Sequence, residues 1–111
     1  MKLIECKEAI YGSYTFLNIF ASRKEIEEKV GSFEKHYTDN DTDGKCYFEW
    51  FIQTEDGSLK FRIYDWKEER IVPSDERIYW HVGAPIHSKN EQTILQKCLE
   101  DYGFTVMNKN I

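Results

Sequence analysis

Apolar and aromatic residues run almost unbroken from Cys46 to Ile52, then alternate with polar ones from Leu59 to Trp66, with Thr54-Glu55-Asp56-Gly57-Ser58 in between. Two strands and a tight turn are predicted, and Asp56-Gly57 suits the positive φ angles of a two-residue type I′ turn. A turn placed there pairs Glu55 with Ser58, Gln53 with Lys60, Ile52 with Phe61, Phe51 with Arg62, Trp50 with Ile63 and Glu49 with Tyr64. One face then carries Cys46, Phe48, Trp50 and Ile52 against Leu59, Phe61 and Ile63. The other carries Tyr47, Glu49, Phe51 and Gln53 against Lys60, Arg62, Tyr64 and Trp66. A slip of one residue would mix the two sets, so their separation supports the pairing. Arg77 to Val82 alternates in the same way, with Ile78, Trp80 and Val82 on one side and Tyr79 and His81 on the other. It is predicted as the next antiparallel strand, reached through a loop containing Pro73.

Two helices announce their starts. Ser22-Arg-Lys-Glu25 and Ser88-Lys-Asn-Glu91 are capping boxes, in which the serine hydroxyl accepts from the third amide and the glutamate reaches back. The first helix sets Ile26, Val30 and Phe33 on one stripe and ends near Gly31. The second sets Ile94, Leu95, Cys98, Leu99 and Tyr102 on one stripe and stops at Gly103. Tyr14 to Ile19, Leu3 to Cys6 and Phe104 to Met107 add short strands. The expected fold is α+β, a two-layer sandwich in which two helices pack on one face of an antiparallel sheet of three to five strands. With 111 residues and no internal repeat or linker, residues 1–111 form one domain.

Composition narrows the function classes. A formal charge of −5 disfavours nonspecific duplex binding, which needs an excess of phosphate-neutralising cations. There is no apolar stretch long enough to span a membrane and no secretory leader pattern. Cys6, Cys46 and Cys98 are odd in number and in no C-x-x-C pair, which suits a reducing cytoplasm. Asp39-Asn-Asp41-Thr-Asp43-Gly44 copies the front half of a calcium loop, but its twelfth position is Trp50 rather than a bidentate glutamate, so an acidic turn within Thr38 to Lys45 is expected and no metal site. His36, His81 and His87 lack a ligand partner at helical spacing. There is also no nucleophile elbow and no glycine-rich phosphate loop. The chain is expected to bind rather than catalyse, with neither catalytic residue nor cofactor.

The second sheet face carries the binding chemistry. Lys60, Arg62, Tyr64, Trp66, Tyr79 and His81 set planar rings beside cations, as a stacked nucleobase and its phosphate require. A second subunit covering this face would explain the same residues, giving a homodimer or higher homo-oligomer. A different surface, with Glu27 and Glu28 on the first helix and Asp41 and Asp43 in the acidic loop, could instead occupy a basic groove of a partner protein.

The segments CYFEWFIQTEDGSLKFRIYDWK and IYWHVGA resemble a pattern in small uncharacterised proteins of tailed bacteriophages: a capped helix, an aromatic hairpin ending in IYDWK, a W-H-hydrophobic-G strand and a closing helix. The resemblance covers roughly residues 22–102 and rests on Ile63 to Lys67 and Trp80 to Gly83. It implies a viral accessory protein of the host cytoplasm, and carries over no active-site residue. Joined to the aromatic face, it leads to an anti-defence protein that sequesters a nucleotide-derived signal. The alternative is an acidic, anti-CRISPR-like or DNA-mimicking inhibitor that blocks a nucleic-acid site on a host defence protein.

Overall fold

The computed structural model describes residues 2–8, 10, 13–31, 35–36, 47–65, 68, 70–85 and 88–108, with backbone alone at 13–16, 35–36 and 108. The chain runs β1 (Leu3–Glu5), β2 (Ser13–Ser22), α1 (Arg23–Val30), β3 (Lys35–His36), β4 (Phe48–Thr54), β5 (Lys60–Tyr64), β6 (Arg77–Ala84), α2 (Lys89–Asp101) and β7 (Thr105–Asn108). The fold is α+β, as expected. Among the described residues the strand count is larger than the three to five expected: a seven-stranded sheet in the order β1-β4-β5-β6-β2-β7, with β3 paired to β4. The six pairings that build it are all antiparallel.

The hairpin register is the one alternation demanded, with Glu49 opposite Tyr64 and Gln53 opposite Lys60. The turn differs. The Gly57 amide donates to the Thr54 carbonyl at 2.9 Å and the Thr54 amide to the Leu59 carbonyl at 3.0 Å. A β-turn with Glu55-Asp56 at its centre therefore opens the reversal and Gly57 follows at φ 72°, so that residues 55–58 form a four-residue loop in place of a two-residue one. Both loops give the same pairing, because the strands meet symmetrically about the same midpoint. Asp56 stabilises the actual turn, accepting from the Ser58 amide at 3.0 Å, the Ser58 hydroxyl at 2.7 Å and the Thr54 hydroxyl at 2.8 Å.

β2 leads without a loop into α1, since Ser22 is both the last strand residue and the N-cap. Its hydroxyl accepts from the Glu25 amide and the Glu25 carboxylate accepts from the Ser22 amide, each at 3.1 Å. Gly31 ends the helix at φ 106°. α2 starts on Ser88, whose hydroxyl accepts from the Glu91 amide at 3.2 Å. Its stripe is narrower than predicted: Leu95 and Leu99 are buried, Cys98 and Tyr102 half-buried, and Ile94 is 51% exposed. Phe33 and Cys46, predicted to face the core, lie outside the described residues, as does the acidic loop with Asp39, Asp41 and Asp43.

Ile26 and Val30 of α1 and Leu95 and Leu99 of α2 join one apolar cluster with Trp50, Ile52, Phe61, Ile63, Trp80 and Val82 of the sheet. Trp50 and Trp80 meet edge to face, ring centroids 5.2 Å apart. The Trp80 indole donates to the Ala21 carbonyl at 2.8 Å, tying β6 to β2 across the core. Asp65, in the IYDWK segment, is buried as well: one carboxylate oxygen accepts from the Tyr47 and Phe48 amides, each at 2.9 Å, and holds the start of β4 against the end of β5.

Candidate functional site on the second sheet face

Strand register decides which side chains share the face opposite the core. Arg62 and Tyr64 come from β5, Arg77, Tyr79 and His81 from β6, Asn18 and Phe20 from β2, and Met107 from β7, where Asn18 lies between His81 and Met107. Of the six residues read as a ligand platform, the structure brings Arg62, Tyr64, Tyr79 and His81 together and places Lys60 further along β5, while Trp66 lies outside the described residues.

This face is not open throughout. Towards β4, Phe51 is buried under Cys6 and Ile10, the segment that follows β1. Tyr64 is only 6% exposed: the Arg62 guanidinium lies 4.2 Å from its ring centre, and the His81 ring lies 5.7 Å away at 32°. Gly83 makes room for this stack, since a Cβ there would come within 3.1 Å of Arg62 Nε and 3.3 Å of the Tyr64 ring. Towards β2 the face opens. Tyr79 is 54% exposed; the described β5–β6 pairing reaches only as far as Tyr64 opposite His81, so its paired neighbour is Phe20 of β2, with the two rings 4.8 Å apart. Arg77 stands 4.9 Å over Phe20. Met107 is exposed beside them.

The cations here are each matched by a carboxylate. Arg62 Nη1 donates to Glu49 at 2.9 Å, and Glu49 is buried. Arg77 grips Glu25 through two nitrogens, at 2.9 and 3.1 Å. This contact and the cap hydrogen bonds hold the Glu25 carboxyl below its ordinary range against the opposing effect of burial. Lys60 meets Glu8 at 3.3 Å on the surface. Asn18 is buried with its amide nitrogen on the Trp80 carbonyl at 3.1 Å.

Sequence reasoning missed Phe20, Met107 and the carboxylate partners. The first two needed the position of β2 beside β6 and of β7 beside β2, which no local pattern gives. Glu49 was within reach: with Phe51 opposite Arg62, it occupies the diagonal position two residues away, where a long cation reaches it. Glu27 and Glu28, the described half of the acidic surface, sit on α1 among Arg23, Lys24 and Lys29, so that helix carries mixed charge.

Among the described residues no three His, Cys, Asp or Glu side chains converge as a metal site would need. Among the described residues no helix is long and apolar enough to cross a membrane. A groove of about 220 Å³ runs beside Ile94 and Cys98 of α2 and Tyr102, which caps the helix. Burial pushes the Cys98 thiol above its usual range, away from the reactive thiolate. No family model, curated protein or solved structure matches this chain.

Proposed function

We propose that this is a non-enzymatic binding protein that holds the planar base of a nucleotide-derived small molecule on the open part of its second sheet face. In the setting that the phage resemblance implies, such binding would withdraw a signal on which host defence depends. The fold proposed with it is a two-layer sandwich: both helices cover one face, leaving the other for a ligand.

The observation that carries this reading is the exposure of Tyr79. Its ring is more than half exposed, just past the end of the described β5–β6 pairing, where Tyr64 faces His81. It lies alongside Phe20, with His81 two residues on along the same strand face. The buried Tyr64 and its guanidinium back this surface instead of forming it, so the stacking contact falls to Tyr79 and His81. Stacking on an aromatic side chain contributes about 1–3 kcal/mol per base.

Calorimetry with adenosine and guanosine tests this. Wild type should bind at least one of them, and Tyr79→Ala should weaken that binding roughly 5- to 150-fold while its melting temperature stays close to wild type. No binding at millimolar nucleoside would overturn the proposal. Recovery from host lysate of a basic protein that 0.5 M salt releases, with charge reversal at Glu27 and Glu28 abolishing the complex, would put the inhibitor reading in its place.

A further inference from the structure

We infer that Glu49 is a specificity-determining residue of this face: it occupies the Arg62 guanidinium, keeps phosphate and other anionic groups away from it, and so restricts the face to planar ligands of little negative charge. The inference rests on the proposed binding reading for its ligand, but its electrostatic part stands on the geometry of one ion pair. Arg62 Nη1 lies 2.9 Å from Glu49 Oε2, and the Glu49 side chain is 7% exposed against 29% for Arg62. A desolvated carboxylate at that distance both neutralises the guanidinium and repels a second anion that approaches it, and the repulsion grows as water is excluded.

Arg62 is also poorly placed to swing away to a new partner. Its guanidinium lies on the Tyr64 ring at 4.2 Å, and its Nε and Cγ lie 3.1 and 3.4 Å from where a Cβ of Gly83 would be. Its planar fork is thus confined between neighbours in the orientation that serves Glu49. The other two cations that register sets on this face, Arg77 and Lys60, do not make up the deficit. Arg77 is held by both oxygens of Glu25, and Lys60 is matched by Glu8. Against a net charge of −5, a phosphate brought to this face would find Arg62, Arg77 and Lys60 each already matched by a carboxylate. A base or other neutral planar ring would still find Tyr79 and His81.

The test compares wild type with Glu49→Gln, which keeps the shape of the side chain and removes its charge. The probes are adenosine, adenosine triphosphate and inorganic pyrophosphate, titrated calorimetrically at low salt after melting curves establish that both proteins are folded. Wild type should bind adenosine at least tenfold more tightly than the triphosphate and show no pyrophosphate binding at millimolar concentration. Glu49→Gln should hold adenosine within twofold of wild type, gain about tenfold for the triphosphate, and acquire pyrophosphate binding that Arg62→Gln in the same background removes. Equal pyrophosphate behaviour of wild type and Glu49→Gln would overturn the inference. So would a wild type that prefers the triphosphate, an arm that needs no variant to fold. Failure of adenosine alone counts against the binding reading, whereas the pyrophosphate arm judges Glu49 independently.

Discussion

Side chains of similar chemistry do opposite work here according to the face on which alternation sets them. Trp50 is fully buried against Trp80, whereas Tyr79, next to Trp80 on β6, is more than half exposed. Trp50→Ala removes a core ring and leaves a cavity, at a cost of about 3–5 kcal/mol. Tyr79→Ala removes a surface ring and should cost about 0.5 kcal/mol or less. Urea midpoints of the two variants check this, and the reverse order would contradict the strand register. Asp65 shows a polar residue working inside the fold. Its carboxylate receives two backbone amides at the start of β4, so Asp65→Ala strands those donors and should destabilise by roughly 2–3 kcal/mol, while Asp65→Asn, which still offers an acceptor oxygen, should lose less. A loss no greater in the alanine variant would mean that the two amides find other partners.

Among the elements, the β4–β5 hairpin shows how much structure a sequence pattern carries and where it stops. Its register was legible because both strands sort into a core set and an outer set only when Trp50 faces Ile63. Its turn was not, since a two-residue and a four-residue loop about the same midpoint satisfy the same pairing. The real turn leaves a titratable signature. Hydrogen bonds from the Ser58 amide and hydroxyl and from the Thr54 hydroxyl lower the Asp56 carboxyl to about 2, below the unfolded value of about 3.9. Because the folded value is depressed, the associated stability is present above the unfolded value and lost as pH falls through the folded one. Between pH 5 and 2, wild type should therefore lose more stability than Asp56→Asn, measured as the difference in urea midpoints; parallel curves would mean that the turn does not hold the carboxylate. The helices were legible from their capping serines, but Ile94 was assigned to the core because an amphipathic stripe read from sequence is wider than the strip that the sheet covers. β2 was legible only as a short strand at Tyr14 to Ile19. Its run into α1 and its place beside β6 depend on pairings between distant residues, which alternation cannot specify.

At the scale of the whole molecule, one sheet separates two environments. On one side a continuous apolar cluster takes in both helices, and its aliphatic and tryptophan side chains make that face readable from composition alone. The other side grades from a covered end, where Cys6 and Ile10 close over Phe51, through the stacked Arg62, Tyr64 and His81, to the open ring of Tyr79. That gradient was not legible, because the aromatic residues of the covered and open ends look alike in sequence and only the tertiary path of the segment after β1 distinguishes them. The central claim is that ligand binding belongs to the open end. Mapping amide chemical-shift changes by ¹H–¹⁵N correlation spectroscopy during a titration with adenosine tests it directly. The account predicts saturable changes concentrated at Asn18, Phe20, Tyr79, His81 and Met107, with Leu95 and Leu99 on the core side of α2 unmoved. Changes centred on the Ile94–Tyr102 groove of α2, or no saturable change anywhere, would contradict it.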